Sequence, residues 1–233
     1  MVKAVAINGS PRAEKGNTAM IMIPFIAGMK DAGAEVEAFY AKLIKIKPCT
    51  GEMHCWYEKP GVCYIQDGMQ KVYPSLRRAE ILILATPVYI PLPGEMQNIM
   101  NRLCPLVIPK LQTREGRTRA RFRDGVKIRK VVLVATGAWY EKENFDTVVR
   151  IAREFAEDAS IEFAGAVLRP HAFLMKQQGE LTKDGARILE IVRQAGRELV
   201  KNGRIAKETL DLIAGPLVDR EELLQRYNRA VKS

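Results

Sequence analysis

The sequence predicts an α/β fold, a three-layer sandwich in which a five-stranded parallel sheet carries helices on both faces. Three observations predict it. Short apolar runs alternate with stretches of helical period along the chain. Those runs lack the polar alternation of a half-solvated strand, as expected of parallel strands buried on both sides. The first run also ends in a small-residue turn that opens a helix, the place where open parallel sheets take their ligands.

Taken in order, Val2–Ile7 reads as a buried strand ended by Asn8-Gly9-Ser10-Pro11. Asn17–Asp31 reads as a helix stopped at Gly33, with Pro24 arguing for a kink or a later start. Ala34–Tyr40 alternates as a second strand, and Asp67–Arg78 is a helix that Pro74 should weaken. Ala79–Ala85 is the cleanest buried strand. Gly94–Leu103 follows as a helix, Lys130–Ala135 as a strand, and Asn144–Ala159 as a strong helix. Ile161–Leu168 and Lys183–Lys201 complete the pattern as strand and long helix. Five strands with an anion-type first turn favour the flavodoxin-like order 2-1-3-4-5 over a six-stranded dinucleotide fold. The expected organisation is one domain over 1–203, holding a cysteine segment (48–64) and a basic insertion (108–129). A helical extension over 204–233 follows, split by Gly215-Pro216.

Composition narrows the function. The 233 residues are 47% hydrophobic and 27% charged, ordinary for a globular chain. No apolar stretch reaches the roughly 18 residues that cross a bilayer, and the start lacks the length of a secretory signal. The expectation is a cytoplasmic protein whose four cysteines are thiols. A net charge of +10 attracts anions in general, and a local excess of seven positive charges lies between Lys110 and Lys130. Neither His54 nor His171 has a Ser or Asp partner at an informative spacing, so hydrolase chemistry has no support.

The turn Asn8-Gly-Ser-Pro-Arg-Ala-Glu-Lys-Gly-Asn-Thr18 lets backbone N–H groups and a helix dipole converge on an anion. Ser10, Asn17 and Thr18 can donate to a phosphate oxygen and Arg12 can pair with its charge. The Walker and Gly-x-Gly-x-x-Gly patterns are both missing. A capped, Pro-containing turn is the plain alternative.

Asn8-Gly-Ser-Pro-Arg12, then Gly16-Asn-Thr18, resembles the opening of the NADPH-dependent FMN reductase and iron-sulfur flavoprotein families. The resemblance continues through Ile46-Lys-Pro-Cys49, Asp67-Gly-Met69, Ala79-Glu-Ile-Leu-Ile-Leu-Ala-Thr-Pro-Val-Tyr89 and Thr136-Gly137, and covers roughly residues 3 to 200. It implies a flavodoxin-like fold, FMN as cofactor and NAD(P)H as co-substrate. It further implies that Ser10, Arg12, Gly16, Asn17 and Thr18 hold the FMN phosphate. Pro87, Val88, Tyr89 and Ile90 would then lie along the isoalloxazine ring, with Thr136, Gly137, Ala138 and Trp139 closing its other edge. All three segments sit at carboxyl ends of predicted strands, which agrees independently. Tyr89 and Trp139 are either ring-flanking or simply partly buried loop aromatics.

Cys49, Cys55 and Cys63 match three positions of the four-cysteine set of the iron-sulfur flavoproteins, and Glu52 stands where the second cysteine is expected. Three readings remain open: a 4Fe-4S cluster with Glu52, His54 or an outside molecule on the last iron, a zinc site with His54, or unliganded thiols. Cys104, at the end of an apolar helix, reads as core. Arg117, Arg119, Arg121 and Arg123 alternate and share one face if extended. That segment is expected to meet an NADPH phosphate, a subunit interface, nucleic acid (the weakest case, with only Phe122 interleaved) or solvent alone. The expected activity is NAD(P)H-driven reduction through FMN of a quinone, flavin or redox protein, in a homodimer or homotetramer. The alternative is a ferredoxin-linked iron-sulfur electron carrier.

Overall fold

The computed structural model describes residues 1–229, so the last four residues of the predicted C-terminal extension lie outside the described residues. In chain order the elements are β1 (Lys3–Asn8), α1 (Asn17–Asp31), β2 (Glu35–Tyr40), α2 (Ala41–Ile44), α3 (His54–Tyr57), α4 (Met69–Arg78), β3 (Ile81–Pro87) and α5 (Gly94–Asn101). Then come β4 (Val107–Arg114), β5 (Arg117–Phe122), β6 (Lys130–Thr136), α6 (Asp146–Ala159), β7 (Glu162–Arg169), α7 (Lys183–Asn202), α8 (Lys207–Ala214) and α9 (Arg220–Arg229).

Five strands form one parallel sheet in the order β2-β1-β3-β6-β7. The numerals differ from the expected 2-1-3-4-5 because β4 and β5 intervene in the chain without joining the sheet; the five sheet strands counted alone keep that connectivity. They pair antiparallel with each other instead.

Strand alternation sorts the core into two layers. Val5, Ile7, Leu82, Leu84, Val131 and Leu133 join Leu76 of α4, Ile99 of α5 and Val148 of α6. Ala4, Ala6, Ile81, Ile83, Val132 and Val134 join Phe25 of α1 and Val192 and Leu199 of α7. Each such Val, Leu, Ile or Phe side chain contributes about 1.5–3 kcal/mol on burial. The small Ala4 and Ala6 let α1 sit low on the sheet. Where α1 crosses α7, a Cβ on Gly28 would lie 1.8 Å from the Arg193 carbonyl oxygen, and one on Gly196 would lie 2.0 Å from that of Phe25. Only glycine permits this approach. Neither proline breaks its helix: α1 runs through Pro24 and α4 through Pro74, since packing outweighs the lost hydrogen bond.

The basic insertion is an ordered hairpin braced against α6. Arg119, almost fully buried, donates to Asp158 at 2.6 Å, Glu157 at 2.7 Å and Glu154 at 3.0 Å. Arg117 meets Glu154 at 3.0 Å, and Arg114 donates to the Glu157 carbonyl at 2.5 Å. Its positive charge therefore offsets an acidic helix end. The solvent-only alternative fails for this reason.

Candidate functional site

The ends of β1, β3 and β6 place three loops around one hollow of about 170 Å³. Its walls are Ser10, Arg12, Asn17, Thr18, Pro87, Val88, Tyr89, Thr136, Gly137 and Ala138, all singled out from the sequence. Gly16, Ile90 and Trp139, also singled out, do not line it. Phe173, from the turn after β7, does line it and was missed; that turn follows a fifth strand end, which was the available signal. A cleft of about 650 Å³ between α7 and α8 is larger, but no strand end faces it.

The first loop is built for an anion. Ser10 is buried and folds back on itself: its N–H donates to Asn8 Oδ1 at 2.8 Å, and its Oγ accepts from Arg12 N–H at 3.2 Å. The Ser10 hydroxyl proton is thereby free to donate. A Cβ on Gly16 would stand 2.9 Å from Ser10 Oγ, so glycine keeps the turn tight. No side chain caps α1, leaving its first N–H groups open. Thr18 Oγ1 and Thr136 Oγ1 lie 2.9 Å apart, and their two protons include one to spare. Asn8 Nδ2 is buried without a partner, and among the described residues Arg12 has no ion pair. These orphaned donors fit a phosphate monoester.

The other two loops are stitched together. Val88 N–H donates to Thr136 O at 2.8 Å, and Gly137 N–H to Arg169 O at 3.1 Å. Tyr89, 51% exposed, stands at the rim of the hollow, and Trp139, 65% exposed, lies beyond its lining, so neither ring fills a core. A hollow of this size is below the roughly 300–1,000 Å³ of a site that engulfs its ligand, and a planar ring would extend onto that rim.

Behind the rim lies a buried clamp. Arg169 donates to the carbonyls of Ile213 (2.5 Å) and Gly215 (2.8 Å) at the end of α8, and faces His171 Nε2 at 2.9 Å. Leu217 N–H also donates to His171 Nε2, at 3.1 Å, so that nitrogen is the acceptor and the imidazole is neutral. Burial, then the Arg169 charge, pushes the His171 pKa down to about 4. Tyr140 stacks on His171 at 5.6 Å, Arg220 lies over Tyr140, and Tyr227 meets Phe173 edge-on. The C-terminal helices thus back the pocket.

A second cluster forms where the cysteine segment meets the turn after α5. All four cysteines are free thiols, and Cys55 and Cys63 are buried. Burial pushes the Cys55 thiol up to about 11, with Cys104, Cys63 and Cys49 adding to it. Burial and then Cys49 raise Cys104 as well, which stands half-buried in the turn after α5. Glu52, in contrast, is exposed, with its carboxylate bonded to the Thr50 hydroxyl, which lowers its pKa. His54 Nδ1 pairs with Glu58 at 2.9 Å. The Glu52 charge nonetheless acts on the thiols, adding to the rise of both Cys55 and Cys104.

Among the described residues no three His, Cys, Asp or Glu side chains close on a single metal ion. A tetrahedral zinc would draw its sulfurs to about 3.8 Å of each other. A four-iron cluster is ordinarily held by four thiolates, and among the described residues no such set is gathered. The segment is anchored by the fully buried Arg102, which reaches Asp67 at 2.7 and 3.1 Å, Lys47 O at 2.8 Å and Ile65 O at 3.3 Å. Burial raises the Asp67 pKa, but the Arg102 hydrogen bonds outweigh it and hold the carboxyl below its usual range.

A family model described as NADPH-dependent FMN reductase matches residues 2–142. An iron-sulfur flavoprotein of Methanocaldococcus jannaschii is 30% identical over 108 residues, 46% of this chain and 54% of that protein. The chain spans about half the length of the curated relatives of this kind that it matches. In fold it is similar to an NAD(P)H:quinone oxidoreductase from Methanothermobacter marburgensis, with TM-score 0.57, 14% identity and coverage of 85% of this chain and 96% of that one. It is likewise similar to an FMN-dependent NADH-azoreductase from Bacillus anthracis in complex with FMN, with TM-score 0.56, 14% identity and coverage of 87% and 99%. Among the described residues no helix is long and apolar enough to cross a membrane.

Proposed function

Because the chain belongs to the NADPH-dependent FMN reductase family, we propose that it is an FMN-dependent NAD(P)H oxidoreductase that passes electrons to a quinone, a flavin or a redox protein. The observation that carries this reading is the convergence of three strand-end loops on a hollow rich in unpaired donors. Ser10, Arg12, Asn17, Thr18 and the open N–H groups after Gly16 bind the FMN phosphate. Pro87, Val88, Tyr89 and Ile90 support one side of the ring, and Thr136 to Trp139 line its other edge. Bound FMN supplies the two-electron chemistry. The protein orients the nicotinamide over the ring and needs no acid–base pair. Among the described residues no protein acceptor takes the N–H groups of Ala138 and Trp139, which leaves them to stabilise negative charge on the ring edge.

The nearly fully exposed Ile90, with Tyr89 and Trp139, offers an apolar rim for a second copy in a homodimer or homotetramer. The free thiols suit the reducing cytoplasm. Purified protein mixed with FMN and NADPH should quench flavin fluorescence on binding and then bleach the flavin band anaerobically. Failure to bind FMN overturns the reading.

The free cysteines of the 48–64 segment, together with relatives named iron-sulfur flavoproteins, favour a second reading, an iron-sulfur flavoprotein acting as an electron carrier linked to ferredoxin. Tight FMN binding without NAD(P)H oxidation, together with bound iron and sulfide, selects it.

A further inference from the structure

We propose that Arg169 is a positioning residue for the ring end of the hollow, a buried cation whose counter-charge is the negative charge that a bound flavin gains on reduction. The proposal rests on the FMN reading of that hollow and adds a residue that lies behind its lining.

Arg169 is built into the wall. It pairs with Thr136 across the sheet, and its carbonyl accepts the Gly137 N–H at 3.1 Å. Ala172 N–H donates to Gly137 O at 3.1 Å, and His171 N–H to Trp139 O at 3.2 Å. Three backbone hydrogen bonds thus fasten the loop 136–139 to the turn 169–172, and the next residue, Phe173, lines the hollow. His171 takes a left-handed backbone (φ 35°), uncommon for a residue with a Cβ. The Arg169 guanidinium and the Leu217 N–H hold it there, both donating to its Nε2.

The charge is what the packing alone does not explain. Arg169 is fully buried. It donates to the carbonyls of Pro170 (2.7 Å), Ile213 and Gly215 and to the neutral imidazole of His171, and among the described residues no carboxylate reaches it. Burial pulls its pKa down to about 10, with no carboxylate to oppose the shift. Arg102, buried to the same degree, has Asp67 at 2.7 Å. A buried cation without an anion is costly, and the end of α8 offers only about half an elementary charge against it. His171 adds a second deficit: because Nε2 accepts, Nδ1 carries the proton, and it is buried with no acceptor. Positive potential therefore stands uncompensated behind the loop 136–139. The phosphate of FMN already has Ser10, Arg12 and the start of α1 on the far side of the hollow. The ring end is where added charge counts. A hydride from NAD(P)H carries two electrons and one proton, so the ring gains one negative charge as the nicotinamide gains one positive charge. A cation held near that ring favours its reduced form.

The test is the reduction potential of FMN bound to the full chain, measured by equilibration with a reference dye, alongside affinity for oxidised FMN and the unfolding midpoint. Arg169→Met should favour reduced over oxidised FMN about tenfold less than the wild type, which lowers the potential by about 30 mV, with oxidised FMN bound within about threefold. Arg169→Lys keeps the charge and should hold the potential even where it loses stability. In case Arg169→Met does not fold, His171→Glu sets a carboxylate against Arg169 and should lower the potential in the same direction. An unchanged potential in Arg169→Met or His171→Glu, whatever happens to stability, overturns the proposal and leaves Arg169 as a brace for α8. So does a loss of affinity that is equal for reduced and oxidised FMN, which would assign the charge to the phosphate, or a fall in Arg169→Lys as large as in Arg169→Met. A wild type that binds no FMN overturns the FMN reading as well.

Discussion

The strand-end pocket and the cysteine cluster are assembled in opposite ways. Each wall of the pocket is local: a strand ends, the next residues turn, and the turn is the wall. The sheet then sets the three turns side by side, as in the pairing of Pro87 with Thr136. The cluster owes little to any regular element. Its pieces are a four-residue helix, irregular chain and a turn from beyond α5, fastened by arginines reaching carbonyl oxygens. The pocket is thus held by the main chain and the cluster by side chains. A site of the first kind tolerates single substitutions behind it, whereas one of the second kind depends on a few buried cations.

The largest expected effect tests that dependence. Arg102→Met leaves Asp67 buried and unpaired, and should cost about 3–5 kcal/mol in denaturant unfolding. FMN affinity of the protein that remains folded should stay within about threefold. A parallel collapse of FMN binding would show that the two regions are one unit.

Acid should strike the pocket side next. His171 is neutral in the fold with its pKa lowered to about 4, so the unfolded chain binds the extra proton first as pH falls below about 6.5. Its contribution is fully present above that pH and is lost on descending towards 4. Urea midpoints should report a loss on the order of 2 kcal/mol across this window, reduced in His171→Gln.

Arg12→Ala should weaken FMN binding about tenfold, read by fluorescence titration, with unchanged unfolding midpoints. Unchanged affinity would mean that the turn's N–H groups suffice. The smallest effect is expected for Arg119→Ala, about 1 kcal/mol or less in unfolding and diminished by salt, since its three carboxylate partners are partly solvated. A larger loss would make the hairpin as dependent on buried charge as the cluster.

The same contrast explains what could be read in the sequence. The five sheet strands and ten of the pocket-lining residues were legible because apolar runs and the turns that end them are adjacent in the chain. Phe173 was missed because a single aromatic after a strand looks like any loop residue. Pro24 and Pro74 argued for breaks that tertiary packing overrode. The hairpin was seen only as excess charge, since its carboxylate partners lie on α6, beyond β6 in the chain. Spacing along the chain likewise says nothing of the turn at Cys104, which Trp56 and Arg123 tie to α3.

The docking of β4 and β5 on α6 has a consequence for anyone trimming the chain. Glu154, Glu157 and Asp158 crowd the negative end of their helix, where like charges and the backbone dipole both oppose them. Excising residues 107–122 would remove the counter-ions of Glu157 and Asp158 and leave only Arg150 beside Glu154. A shortened version must also rewrite those three carboxylates, so the ribbon and the helix are to be edited as a pair.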